Sequence, residues 1–247
     1  MKRPLYVSGA GAVTAAGLNA RQTIAAIRAS LSAFEETVLA DPLGATQIVA
    51  RIPSHRRLRP SNGVWLVNMA ARAIGEALQS GKIASEGTAI LLTPPESFRN
   101  HPAYGDIAPP AFLTAVMSAT GHKFHPASRA TDGGAAASIG LLERALEMME
   151  QQGVEQILLG GVDSLVNDTD FARLGQAGRL KGEDNAQGLV PGEAAAFVRL
   201  TRSPEGNAPV HAAIHGVGLA QETDSVLSDR YSQGRALLGA LRDAVTG

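Results

Sequence analysis

The side chains best placed to do chemistry lie between residues 122 and 138. Thr131-Asp132-Gly133-Gly134 reads as a sharp turn between an extended piece near Phe124 and a helix expected from Ala135 to Gln152. A turn of this kind points backbone N–H groups into a site, and the helix N-terminus favours an anion there. It is where a nucleophile is held exposed, although Asp132 serves equally well as an ordinary helix cap. The neighbouring groups able to act as base or nucleophile are His125, Ser128 and Ser138. No cysteine occurs in the 247 residues, which excludes a thiolate nucleophile, disulfides, iron–sulfur clusters and thiolate zinc sites.

Other patterns carry less. His122 and His125 are three apart and His211 and His215 four apart, but no carboxylate completes a zinc pattern around either pair, so no metal is expected. The second pair falls in an expected strand, its members well separated along it. Gly9-Ala10-Gly11-Ala12-Val13-Thr14 lacks the third glycine of a dinucleotide loop, and no nucleotide cofactor is expected. His55-Arg56-Arg57-Leu58-Arg59 is the one basic cluster. It reads as a solvated loop, or as a contact for an anionic partner such as an acidic carrier protein through Arg56, Arg57 and Arg59.

The elements that must position these residues alternate between strand and helix. Leu5 to Val13 and Thr88 to Thr93 read as strands, the second a continuous apolar run that suits a buried parallel strand. Asn19 is placed to cap a helix running through Ile24, Ile27 and Leu31, apolar residues spaced three and four apart. Ala45 to Ile52 is a further strand, and a helix after Pro60 to Gly63 turns Val64, Val67, Ala71, Ile74 and Leu78 to one face, Arg72 and Glu76 to another. A helix from about Ala111 to Ser118 follows a proline-rich loop. The helix from Ala135 turns Ile139, Leu142, Leu146 and Met149 inward, before a strand at Val154 to Gly161. Ala194 to Leu200 and Val210 to Leu219 suggest a hairpin, and a last helix runs from about Gln233 to Ala244. The alternation argues an α/β domain with a mostly parallel central sheet flanked by helices, plus an antiparallel end, as one domain over 1–247.

Composition agrees. With 22 Lys+Arg against 23 Asp+Glu the net charge is -1, so no global field favours nucleic acid or an anionic membrane. No stretch reaches the roughly 18 to 20 apolar residues that span a bilayer. The glycine-interrupted start reads as a buried strand entering a turn rather than an export signal, and a cytoplasmic protein is expected.

Several segments together resemble the β-ketoacyl synthases, the condensing enzymes of fatty-acid and polyketide assembly. YVSGAGAVTAAGLNARQTIAAIRAS from Tyr6 is similar to their opening strand, glycine turn and helix. VEQILLGGVDSL from Val154 is similar to their strand ending in paired glycines. GLVPGEAAAFVRL from Gly188 places Gly188, Gly192 and Glu193 in register with a further motif. HGVGLAQETD and QGRALLGALRDA come next in the family's order. The resemblance implies a thiolase-like fold, equivalent to the N-terminal half of a condensing enzyme. It puts the family's nucleophilic cysteine near Asp132, Gly133 and Gly134, where this chain has none. The family's two histidines and lysine for decarboxylation lie beyond this chain, and His211 and His215 are not their counterparts. The resemblance therefore implies a degenerate, non-catalytic partner, chain-length modulator or acyl or carrier-protein binder. Its expected partners are an identical copy or a full-length ketosynthase, and an acyl carrier protein. Two alternatives stand beside it: an acyl-processing enzyme using another nucleophile or completed by a second subunit, and an interaction module outside lipid synthesis.

Overall fold

The computed structural model describes residues 4–40, 46–53, 62–79, 86–96, 98, 101–104, 107–182, 185–204, 210–224, 228 and 230–246. Strand β1 (Leu5–Thr14) leads through a tight turn into α1 (Ala20–Arg28), whose cap is Asn19, its Oδ1 accepting from the Gln22 N–H at 2.8 Å. After β2 (Glu35–Ala40) and β3 (Thr46–Val49) come α2 (Asn62–Leu78), β4 (Thr88–Thr93), α3 (Pro109–Thr120) and β5 (Arg129–Ala130). The second half holds α4 (Gly134–Gln151), β6 (Gln156–Ser164), α5 (Asp168–Gln176), β7 (Glu193–Thr201), β8 (Ala212–Ile214) and α6 (Arg235–Thr246).

Six strands make one sheet in the order β5-β4-β6-β7-β1-β8, while β2 and β3 pair apart from it. β4 is parallel to both β5 and β6, whereas β6–β7, β7–β1 and β1–β8 are antiparallel. Hence β1, β4, β5 and β6 share one direction and only β7 and β8 oppose it: a mostly parallel α/β sheet with an antiparallel side. Helices α2 and α3 cover one face, burying Leu66, Ala73, Ile74 and Phe112 with Ile90, Leu158 and Phe197. Helix α4 covers part of the other, setting Leu142, Ala145 and Met148 against Leu91, Ile157 and Leu200. The approach of α2 to β1 explains Gly11, since a Cβ there would overlap the Ala73 carbonyl oxygen.

The stripe Ile24, Ile27 and Leu31 faces solvent, at 53%, 66% and 66% exposure, because α1 meets the sheet through the small residues Ala20 and Ala26. Several expectations are corrected. In α2 the buried stripe is rotated towards Leu66, Ala70, Ala73 and Ala77, leaving Val64 exposed; alanines allow the close approach that bulkier side chains would block. Glu76 is not an outward charge: its carboxylate accepts the Ala12 and Ala20 N–H groups at 2.9–3.0 Å, tying β1 to the positive end of α1. Ile139, expected inward, is exposed. The expected hairpin of the last two strands does not form, because β1 lies between β7 and β8. β8 covers only Ala212–Ile214, so neither His211 nor His215 belongs to it.

Candidate functional site

The turn before α4 is pinned to the sheet by the Thr131 N–H, which donates to the Leu92 carbonyl at 2.9 Å. Gly133 is the N-cap of α4, with φ 157° and ψ 8°, and no side chain caps the helix. The expected cap Asp132 is therefore not one; it stands exposed beside the turn. A Cβ on Gly133 would come within 2.9 Å of the Ala137 Cβ, which accounts for glycine at that point.

Ser138, half-buried near the start of α4, lines a cavity of about 390 Å³ with Thr93, Pro94, Gly161, Asp163 and Ala196. The structure thus brings Ser138 to the same end of the sheet as Asp132, Gly133 and Gly134. Ser128 and His125 are held elsewhere. The Ser128 hydroxyl donates to the His125 carbonyl at 2.7 Å and accepts from the Ile90 N–H at 3.0 Å, so both its roles serve the fold. His125 Nδ1 accepts from the Ala127 N–H at 3.1 Å. Four residues of extended chain, roughly 13 Å, separate Ser128 from Asp132. Arg56, Arg57 and Arg59 lie outside the described residues. Among the described residues no group of three or more His, Asp or Glu is placed to hold a metal, and no helix is long and apolar enough to cross a membrane.

The acids that organise this end of the sheet are ones whose roles the sequence did not display. Glu193, the first residue of β7, is buried. Its Oε1 accepts the Ile52 N–H at 2.8 Å, and its Oε2 accepts Trp65 Nε1–H and Ser164 Oγ–H, each at 3.0 Å. One carboxylate therefore joins β6, β7, α2 and the chain after β3. The Tyr104 hydroxyl donates to the Ser164 carbonyl. Burial, with Asp163, Asp170 and Glu193 nearby, holds that phenol well above its ordinary pKa, so it stays a donor.

Asn167 caps α5, accepting from the Asp170 N–H at 2.9 Å, and the Asp170 carboxylate receives Asn167 Nδ2, His101 Nε2 and Arg173 Nη2 at 2.8–3.2 Å. His101 Nδ1 accepts from the Ala103 N–H at 3.2 Å, so both ring nitrogens are engaged. The Asn167-x-x-Asp170 spacing was a readable helix-start signal; His101, in a proline-rich loop, offered none.

Asp163 differs from these. It sits opposite Ala194 in the β6–β7 register, and both residues line the first cavity and a second of about 540 Å³ bordered by Thr14, Thr23, Ile27, Phe34 and Gly192. Its Oδ1 accepts the Ser164 N–H at 2.7 Å. Burial pushes the carboxyl above the usual carboxylate range, and Asp170 and Glu96 push the same way; the Ser164 N–H and His101 oppose them.

A mostly parallel sheet covered by α2 and α3 on one side and in part by α4 on the other is an α/β layer fold, and solved structures show which one. Among solved structures the chain is similar to a type II polyketide synthase acyl-carrier protein in complex with its ketosynthase bound to the hexaketide. That match has a TM-score of 0.72 at 15% identity and covers 99% of this chain and 71% of the other. It is similar also to the ishigamide ketosynthase/chain length factor, with a TM-score of 0.62, 18% identity and coverage of 90% and 68%. A third is the ketosynthase from module 6 of the bacillaene synthase of Bacillus subtilis 168, with a TM-score of 0.63, 14% identity and coverage of 90% of this chain. The chain spans 45% of that ketosynthase's length. The fold of this protein is ketosynthase-like. No protein-family model and no curated protein matches the chain.

Proposed function

We propose that this protein is a non-catalytic, ketosynthase-like subunit that works against a complete ketosynthase in fatty-acid or polyketide-type assembly in the cytoplasm. The carrying observation is uncovered apolar surface. Ile24, Ile27, Leu31 and Phe34 around α1 are 53–66% exposed, and α6 has no buried residue and presents Leu237 and Val245 at 65% and 87% exposure. Contiguous apolar surface of this kind marks a site of association. The lack of any cysteine supports the non-catalytic part, since the turn at Asp132 to Gly134 then has no thiolate to form a thioester. The ketosynthase/chain length factor and the carrier-protein complex among the similar structures support a ketosynthase and a carrier protein as partners. The basic cluster Arg56, Arg57 and Arg59 is the contact we propose for the carrier, on its charge alone.

Co-expression with a complete ketosynthase, followed by light scattering, tests the reading. A stoichiometric complex is expected. A monodisperse monomer at micromolar concentration, both alone and in the mixture, contradicts it. Ser138 beside the turn favours the second reading, an acyl-processing enzyme with a serine nucleophile. Thioester hydrolysis or transfer by the isolated chain, lost in Ser138→Ala, would establish that reading instead.

A further inference from the structure

A cavity of about 690 Å³ lies at the other end of β4 from the glycine turn. His125 lines it, and the His125 N–H donates to the carbonyl of Thr88, the first residue of β4, whereas the turn is pinned at Leu92. Four residues of strand, roughly 13 Å, separate the two attachments. The volume falls within the roughly 300–1,000 Å³ usual for small-molecule sites. Two separate parts of the chain meet there: Glu86, just ahead of β4, and the loop after α3 that carries His122, Lys123, Phe124 and His125. Met117 of α3 and Phe124 supply an apolar wall, and the His122 ring stands edge-on to Phe124 with 6.4 Å between centroids.

The polar groups of this cavity do no work for the fold. Among the described residues, the side chains of Glu86, His122 and Lys123 make no hydrogen bond and no ion pair. His125 Nδ1 accepts from the Ala127 N–H, so in the neutral ring Nε2 carries the proton and is a donor without a partner. Lys123 and Glu86 line one cavity and still do not pair with each other. Held apart, each can take a separate charge of a ligand. The carboxyl end of α3, whose Ser118 and Gly121 also line the cavity, adds partial negative charge. A plain anion would sit beside Glu86 and that helix end, and a plain cation beside Lys123; a ligand that carries both charges answers both.

We infer that this cavity binds a small zwitterion with an apolar body, of the amino-acid type. Its carboxylate is received by Lys123 and the His125 Nε2–H, its ammonium by Glu86, and its side chain lies against Met117 and Phe124. The inference goes beyond the proposed function and is independent of it, because the cavity lies away from the glycine turn.

The test is an NMR titration of the full chain labelled on its methionine methyls. Met117 is the one of the five methionines that lines this cavity, and Met117→Leu assigns its signal. Three ligands share one indole body: tryptophan, indolepropionic acid, which lacks the ammonium, and tryptamine, which lacks the carboxylate. Tryptophan is expected to shift the Met117 signal and to bind roughly five-fold or more tightly than either of the others, as one charge-assisted contact at an open site supplies. In Glu86→Gln its affinity falls towards that of indolepropionic acid for the parent, and in Lys123→Gln towards that of tryptamine. Both substituted positions are exposed, and thermal melting checks that the variants are folded. Indolepropionic acid or tryptamine binding as tightly as tryptophan, an unchanged tryptophan affinity in either variant, or no shift of the Met117 signal at millimolar tryptophan overturns the inference. None of these results bears on the complex with a ketosynthase, so the proposed function is tested separately.

Discussion

Removing the Glu193 carboxylate should loosen the whole end of the sheet that carries the candidate site. Three donors converge on it, from Ile52, Trp65 and Ser164. A hydrogen bond to a charged group contributes about 1.5–3 kcal/mol net. Simple addition would overshoot, because truncation also relieves the desolvation of a buried charge. The surviving cost is that of breaking a buried network and stranding the Ile52 N–H, about 3–5 kcal/mol for Glu193→Ala. Against a typical stability of roughly 5–15 kcal/mol that is a large fraction. Glu193→Gln keeps one acceptor oxygen and should lose about half as much. Urea unfolding followed by tryptophan fluorescence suits the question, because Trp65 is the only tryptophan and is itself one of the donors. The midpoint should fall by roughly 1–2 M urea for the alanine variant, and native Trp65 emission should shift as its indole N–H loses its acceptor. A midpoint within about 0.3 M of the parent, with unchanged emission, would refute the role assigned to this carboxylate.

Asp163→Asn should raise the melting temperature at pH 7–8. The folded carboxyl holds its proton to higher pH than the unfolded one, so stability falls as pH rises through the folded pKa; the gain from Asn should vanish near about pH 3, where both states are protonated. A difference independent of pH contradicts this. Gly11→Ala should cost roughly 3 kcal/mol or more, or yield insoluble protein, since the added methyl overlaps the Ala73 carbonyl; parent-like melting would show that β1 and α2 can part. Asn19→Ala should cost about 1 kcal/mol through loss of the α1 cap, with Asn19→Asp close to the parent in a thermal melt.

How far the fold could be read in advance depended on where its signal lay. The run Thr88 to Thr93 was legible because both its faces are buried, which forces six consecutive residues to suit an interior. β2 opens on the charged pair Glu35-Glu36, both exposed, and pairs only with β3 away from the main sheet, while α5 is so polar that its Asn167 cap is the clearest sign of it. The stripe on α1 was real but faces solvent: periodicity shows that a face is apolar, not what covers it. The candidate site was harder. Trp65 and Glu193 stand 128 residues apart, and only the antiparallel pairing of β7 with β6 sets Glu193 beside Ser164. The turn at Asp132 to Gly134 was visible from its glycines, yet that Ser138 rather than Ser128 lines the neighbouring cavity depends on how α4 is set against β4 and β6.

The last stretch of the chain is joined to the rest in an unusual way. Gly216 and Gly218 touch the backbone of α6 at Ala244 and Ala240, where any side chain would collide. The segment and its helix therefore grip each other, while the buried residues of both cores of the sheet all come from elsewhere in the chain. Clipping the chain near residue 210 would remove a three-residue edge strand, the partly buried Ile214 and Val217, the Ser228 carbonyl that accepts from Arg179 Nη2 at 2.7 Å, and this appendage. The same independence makes it a natural graft point: an insertion there disturbs no fully buried packing, and a related chain could acquire or discard everything beyond it in a single evolutionary step.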